Sequence, residues 1–185
     1  MNTIIDELNK IPERFSDETF LINKGLSNEV GIHVFCYKPS EEIIVRAYFS
    51  DFKKHTDLPF RIIECDLYKI FLNICEEKRI LKTIPAMEEK KGTEFLMSQL
   101  QKIASPEAFV EKMKYGPQKH GDILLITGIG KVYPFMRSHK ILDNIQHIFA
   151  NIPVVMLYPG KFNGQELNLF GDFCDGNYYR AFNLL

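Results

Sequence analysis

The sequence has little that would place it in a membrane or among secreted, disulfide-bonded proteins. No apolar run approaches the roughly 20 residues that a helix needs to span a bilayer. The N-terminal segment lacks the basic region and apolar stretch of a signal peptide. No C-x-x-C pair occurs, and three of the four cysteines fall inside apolar runs (Cys36, Cys65, Cys75 and Cys174). We therefore predict reduced core thiols in a cytoplasmic protein.

An excess of charge and a recognisable catalytic group are missing as well. The 23 basic and 24 acidic residues leave a formal net charge of −1, which argues against direct, bulk electrostatic binding of DNA or of an anionic membrane. The histidines show no H-x-x-x-H or H-E-x-x-H spacing. No G-x-S-x-G nucleophile elbow occurs. These absences predict a protein that is not an enzyme and that holds neither a metal nor a cofactor.

What is present is an alternation of apolar strands and amphipathic helices. Four apolar segments are predicted as strands, near residues 31–37, 60–65, 122–127 and 153–158. Such buried strands, separated by helices, favour an α/β fold with a mainly parallel sheet and helices on both faces. We predict one domain over residues 1–185, a helical insertion near 79–115, and Asp66 as the N-cap of the helix after the second strand. Two short terminal strands are expected at 167–170 and 178–184.

The segment 126–139, ITGIGKVYPFMRSH, contains more chemistry than a simple connection needs. It leaves the carboxyl end of a strand, where ligands bind in open α/β sheets. The predicted binding residues are Thr127, Gly128, Gly130, Lys131, Tyr133, Pro134, Arg137 and His139. We expect Tyr133 to be exposed, and Arg137 and His139 to order the loop by binding its carbonyl groups or a nearby acid. Lys38, Asp66 and Lys161 follow other strands and should share the same rim.

Two other interpretations of this loop stay open. A Walker motif, G-x-x-x-x-G-K-[ST], fails because Leu125 replaces its first glycine and Val132 its hydroxyl residue. A nucleotide- or nucleic-acid-binding protein with a degenerate phosphate-loop-like fold is therefore the alternative to a binding loop without phosphate chemistry. Alternatively, Gly128 and Gly130 only permit close packing, and Pro134 only fixes the entry into the next helix.

The C-terminal tail carries the aromatic and arginine side chains that are enriched in protein interfaces. The predicted contact residues are Tyr178, Tyr179, Arg180 and Phe182. Core packing of an edge strand is the competing explanation. Because successive side chains of a strand point to opposite faces, Tyr179 and its neighbours cannot all be buried in one core.

Three segments carry a family resemblance: LLITGIGKVYPFMRSH at 124–139, PVVMLYPGKFNGQELNLFG at 153–171 and DGNYYRAF at 175–182. They resemble the BrxB family, helper proteins of bacteriophage-exclusion (BREX) islands. The TGxGxxxPFxRSH pattern is matched by Thr127, Gly128, Gly130, Pro134, Phe135, Arg137, Ser138 and His139, and the NYYRAF pattern by residues 177–182.

The resemblance implies a cytoplasmic, non-catalytic component needed for phage restriction and, in many systems, for host DNA methylation. It also implies other BREX components as partners. These include a methyltransferase, an ATPase and PglZ, a member of the alkaline-phosphatase superfamily. An adaptor for one of them is the expected role, with PglZ preferred.

Overall fold

The computed structural model describes residues 3–23, 31–55, 57–171, 173–174 and 179–185. Its centre is a parallel sheet of β1 (Ile32–Tyr37), β2 (Arg61–Asp66), β3 (Asp122–Thr127) and β4 (Val154–Phe162). The strand order is β2-β3-β4-β1, with every neighbouring pair parallel. The predicted α/β class and mainly parallel sheet are confirmed. Within the described residues, no helix combines the length and apolar character required to cross a bilayer.

The C-terminal part adds short strands to both margins of this sheet. β5 (Leu167–Leu169) pairs antiparallel with β4, β6 (Phe173–Cys174) pairs with β5, and β7 (Phe182–Asn183) pairs parallel with β1. The prediction that the fourth strand ends before Pro159 was wrong, because β4 continues to Phe162 and forms a hairpin with β5. Gly160 permits this pairing: a Cβ there would lie 2.2 Å from the Asn168 carbonyl oxygen.

Helices cover both faces of the sheet, as predicted. In chain order they are α1 (Ile4–Leu8), α2 (Ile11–Ser16), α3 (Glu18–Leu21), α4 (Glu42–Phe52), α5 (Leu67–Glu77), α6 (Ile84–Lys91), α7 (Thr93–Ile103), α8 (Pro106–Met113), α9 (Ile129–Val132) and α10 (Ser138–Ile145). The helical insertion is confirmed as α6 to α8, with breaks at Gly92 and Ser105. Asp66 is the N-cap of α5, and its carboxylate accepts hydrogen bonds from the N–H groups of Tyr68 and Lys69.

Two hydrophobic cores follow from the alternation of side chains along the strands. Phe35, Leu125 and Leu157 point to the face covered by α1 to α4. Leu124 and Met156 point to the opposite face, which is covered by α5, α7, α8 and α10. The inner strands β3 and β4 are therefore buried on both sides, which explains their continuous apolar sequences.

A buried carboxylate fastens β2 to β3 at the amino edge of the sheet. Asp122 is 2% exposed and accepts two hydrogen bonds of 2.8 Å from Arg61. It also accepts bonds of 3.0 Å from the Tyr115 hydroxyl and from the Lys119 N–H. Burial by itself would raise the pKa of Asp122, but the bonds from Arg61, Lys119 and Tyr115 outweigh burial and leave its pKa below the usual value.

Candidate functional site

The loop predicted as the site begins with a backbone turn that only glycine fits. Gly128 has φ +75°, in the left-handed region, and precedes the single turn of α9. A Cβ at this position would lie 2.4 Å from Oδ1 of Asp66 and 3.1 Å from the N–H nitrogen of Tyr68. The loop therefore lies directly against the start of α5, and Thr127, Gly128 and Lys131 line one cleft beside it.

The residues in the middle of the loop pack against neighbouring parts of the fold. A Cβ on Gly130 would lie 2.9 Å from the Phe170 ring, and the Tyr133 ring meets Phe170 edge to face at 6.5 Å. The Pro134 carbonyl accepts a hydrogen bond of 3.1 Å from Gln101. Tyr133 is half-buried, so the prediction that it is exposed was wrong: its ring fills the space beside the β4–β5 hairpin.

The end of the loop leads into α10. Arg137 is exposed, occupies the N-cap position and forms no hydrogen bond or ion pair with another described residue. The predicted bond from Arg137 to the loop carbonyls is therefore missing from the described part of the chain. His139 lies half-buried in the first turn. Ser138 is buried, and its hydroxyl lies 3.4 Å from the Tyr179 hydroxyl.

The cleft beside Gly128, which we name the carboxyl-edge cleft, has a volume of about 410 Å³. It lies between α4 and the carboxyl ends of β2 and β3, the position at which open α/β sheets bind ligands. Its charged lining residues are Glu42, Arg46, Lys53, Glu64, Asp66, Lys69 and Lys131. Of the rim predicted from the sequence, Asp66 and Lys131 line this cleft, whereas Lys38 and Lys161 do not.

The acids of this cleft already have partners within the protein. Glu64 accepts a hydrogen bond of 3.0 Å from the Thr127 hydroxyl and forms an ion pair with Lys53. Burial would raise the pKa of Glu64, but the bonds from Lys53 and Thr127, together with the charges of Lys53 and Lys69, lower it below the usual value. Asp66 caps α5, and Glu42 accepts a bond of 2.6 Å from the Tyr37 hydroxyl.

Three of the cations have no such partner, and of these the sequence analysis identified only Lys131 and missed Arg46 and Lys69. Arg46, Lys69 and Lys131 come from α4, α5 and α9, and none of them forms a hydrogen bond or salt bridge with another residue in the described ranges. Lys69 sits in the first turn of α5, where the helix dipole disfavours a cation. That conflict with helix electrostatics was the signal available in the sequence.

The tail residues predicted as an interface do not share one environment. Tyr178 lies outside the described residues. Tyr179 is only 4% exposed and its N–H donates to the Gln165 carbonyl at 2.8 Å, so its prediction as a contact residue was wrong. It packs into the core that α5 to α10 cover. Arg180 is exposed and Phe182, on β7, is 39% exposed; both stay predicted contact residues.

Next to Phe182 the sheet has an open margin. β7 pairs only with His33 and Val34 of β1, so β1 has no strand beside its carboxyl half on this side in the described part of the chain. A groove of about 280 Å³ lies there, and we name it the edge groove. It is lined by Glu7, Lys10, Val34, Phe35, Cys36, Asn183, Leu184 and Leu185.

The described residues contain no group of three or more His, Cys, Asp or Glu side chains arranged to hold a metal ion. Cys36, Cys65 and Cys75 are free thiols, as predicted. Burial raises the pKa of Cys36 and of Cys65 to about 12. Both thiols are therefore protonated at neutral pH and are poor nucleophiles.

Comparison with known proteins shows the family to which the chain belongs. A family model described as BREX protein BrxB matches residues 63–184, which is more than half of the chain. The chain belongs to the BrxB family. The matched range contains the whole loop, Lys69 and the exposed tail residues, so the resemblance predicted from the loop and tail segments is confirmed.

Curated BrxB proteins match over nearly their full length. A BREX protein BrxB from Bacillus cereus (strain H3081.97) is 39% identical over 190 residues, which cover 100% of this chain and 99% of the relative. A BREX protein BrxB from Escherichia coli O9:H4 (strain HS) is 29% identical over 184 residues, covering 96% and 90%. No solved structure matches the chain. The BrxB likeness therefore extends beyond the family model to the part of the chain before residue 63, which contains Arg46 and Lys53.

Proposed function

We propose that this BrxB protein is a non-catalytic adaptor of a BREX phage-defence complex, needed for phage restriction and for the accompanying host DNA methylation. Its preferred partner is PglZ. Family membership supports participation in a BREX system. The open margin of the sheet at the edge groove is the observation that carries the adaptor role, because an unpaired strand edge is a ready template for another chain.

The direction of the backbone groups of β1 supports this proposal. The Leu184 N–H donates to the Val34 carbonyl at 3.0 Å, so the backbone of Val34 points toward β7. Backbone groups of alternate residues point to the same side of a strand, and Cys36 is therefore oriented in the same direction. The pairing with β7 ends at Val34, which leaves the N–H and carbonyl of Cys36 to a strand supplied by a partner.

Side chains around the groove suit such a partner. Phe182 and Leu185 are exposed apolar residues beside the open strand, and Arg180 adds a planar cation. Strand addition draws affinity from main-chain hydrogen bonds and specificity from neighbouring side-chain contacts. We expect an extended segment of PglZ to add to β1, with Phe182 as its apolar anchor and Arg180 contacting an acidic group.

A matched pair of double variants tests this role. Arg180→Ala with Phe182→Ala removes the cation and the aromatic ring beside the groove. Lys91→Ala with Phe95→Ala removes a similar pair elsewhere: Phe95 is also 39% exposed, and the Lys91 ammonium lies 4.5 Å from its ring centroid. Each tagged chain is co-expressed with the remaining BREX components, and retained PglZ, phage plating efficiency and host methylation are measured.

We expect the tail variant to lose PglZ, restriction and methylation, because truncating an interface hot spot costs about 2 kcal/mol, roughly thirtyfold in affinity. The control should behave as the wild type. Full retention of PglZ by a folded tail variant would exclude the edge groove as the contact. Failure of the wild type to retain any BREX component would reject the adaptor role.

A further inference from the structure

The carboxyl-edge cleft holds more positive charge than its acids neutralise. Four basic and three acidic side chains line it, in a protein whose formal net charge is −1. Arg46, Lys69 and Lys131 extend into this region from three separate elements, and none of them forms a hydrogen bond or salt bridge with another described residue. Lys69 acts on Glu64 through its charge, which contributes to the lowered pKa of that carboxyl. Placing like charges around one cavity is unfavourable, so the arrangement favours an anion between them.

The acids do not supply that anion. Glu64 is bound by Lys53 and Thr127, Asp66 by the backbone of α5, and Glu42 by Tyr37. Each acid of the cleft therefore has a partner within the protein, whereas three of its four cations form no hydrogen bond or salt bridge with a described residue. A guanidinium offers five N–H groups and each ammonium three.

We propose that the carboxyl-edge cleft binds a small phosphate-bearing ligand, held by Arg46, Lys69 and Lys131. A phosphate group brings close to two negative charges and three strong acceptor oxygens, which suits three convergent cations. The volume of about 410 Å³ falls in the range of roughly 300–1,000 Å³ typical of small-molecule sites. It leaves room for an organic group beside the phosphate, next to the short side chains of Ala47 and Ser50.

This recognition differs from that of a phosphate loop. The N-terminus of α5 is closed by the Asp66 carboxylate, and α9 is a single turn. Side-chain cations rather than backbone N–H groups therefore bind the ligand, which accounts for the absence of a Walker sequence around Gly128. A long nucleic acid does not fit as well, because polyanion binding needs an extended basic surface and the excess of cations here is confined to one cleft.

Titration calorimetry of the full-length chain at low salt tests the proposal. The probes are inorganic phosphate, AMP and ADP, with adenosine as the uncharged control and a single-stranded DNA oligonucleotide as the polymeric competitor. The cleft variant is Lys69→Gln with Lys131→Gln, which keeps the Lys69 N–H that binds Asp66. The control is Lys82→Gln with Lys102→Gln, an equal change of charge at exposed positions of the helical insertion.

We expect saturable binding of at least one phosphate probe and none of adenosine. The cleft variant should bind at least about tenfold more weakly, since two charge-assisted hydrogen bonds are lost, while the control stays within about twofold of the wild type. If the cleft variant fails to fold, Arg46→Gln carries the same expectation.

Three results would overturn the proposal: no saturation with any phosphate probe, equal affinities of the wild type and the folded cleft variant, or binding of the oligonucleotide alone. Since Arg180 and Phe182 are unchanged in every variant of this experiment, its failure is distinguishable from failure of the adaptor role.

Discussion

The charged residues at the two edges of the β2–β3 pair differ in their burial and in their hydrogen bonding. At the amino edge, beside a cleft of about 500 Å³, Asp122 is buried and accepts four hydrogen bonds from Arg61, Tyr115 and Lys119. At the carboxyl edge, Arg46, Lys69 and Lys131 line a cleft of about 410 Å³ and form no hydrogen bond or salt bridge with a described residue.

This contrast distinguishes charged residues that stabilise the fold from charged residues that are available to bind another molecule. A buried polar group that is fully hydrogen-bonded stabilises and specifies a fold. Exposed cations that form no hydrogen bond or salt bridge contribute nothing comparable to stability. We infer that the charged residues of the amino edge hold β2 and β3 together, and that those of the carboxyl edge are available to bind another molecule.

The largest expected effect comes from breaking the amino edge. Asp122→Ala leaves the Tyr115 hydroxyl and the Lys119 N–H without their acceptor, and we expect a loss of about 3 kcal/mol in the free energy of unfolding. Denaturant unfolding measures it. Asp51→Ala is the control, because it removes an exposed carboxylate that forms an ion pair with Lys54 at the surface, and the loss should be less than about 0.5 kcal/mol. Equal losses in both variants would contradict the structural role of Asp122.

The central strands β3 and β4 could be predicted from the sequence, because each contains a continuous apolar run, at residues 123–126 and 154–158. Asp66 and Ser105 were also predictable as breaks or caps, since capping is local chemistry. The extension of β4 past Pro159 was not. A Pro-Gly pair normally ends a strand. Here Gly160 pairs with Leu169 of β5, and this tertiary contact continues the strand.

The carboxyl-edge cleft could not be predicted from local sequence patterns, because its residues come from separate elements that meet only in the tertiary structure. Arg46 and Lys69 look like solvated helix residues in the sequence. They converge only because α4 crosses from β1, beside β4, to β2 at the other margin of the sheet. Likewise, residue type cannot distinguish a buried tyrosine from an interface tyrosine. Tyr179 is buried because its position faces α10, which the composition of the tail does not reveal.

A second prediction sharpens the comparison with a buried group that lacks a partner. His33 lies between the rings of Phe20 and Phe182, at centroid distances of 4.9 and 6.0 Å. Its Nδ1 is buried and has no hydrogen-bond partner within the described structure. Burial, with a smaller contribution from Arg14, lowers the pKa of His33 from 6.5 to about 4.

Because the unfolded chain then binds the proton more readily than the folded chain, the contribution of His33 to stability is complete above pH 6.5 and is lost as the pH falls toward 4. We expect the free energy of unfolding at pH 5 to be about 2 kcal/mol lower than at pH 8 from this residue alone. Unfolding curves of the wild type and of His33→Gln across this range measure the difference. The same pH slope in both proteins would show that His33 titrates normally.

The smallest expected effect compares two lysines of one cleft. Lys53 is paired with the partly buried Glu64, so Lys53→Gln should lower the free energy of unfolding by roughly 0.5–1 kcal/mol. Lys131 has no such partner in the described residues, and Lys131→Gln removes one positive charge from a cleft that Arg46 and Lys69 also line. We therefore expect Lys131→Gln to leave stability unchanged within about 0.3 kcal/mol or to raise it slightly. Chemical unfolding measures both variants. Phosphate-free buffer is used because a bound anion would stabilise the wild type by mass action.

If Lys131→Gln lowers the free energy of unfolding as much as Lys53→Gln does, then Lys131 stabilises the fold and the carboxyl edge does not differ from the amino edge. If only Lys53→Gln is destabilising, Lys131 does not stabilise the fold, as expected for a residue that binds a ligand.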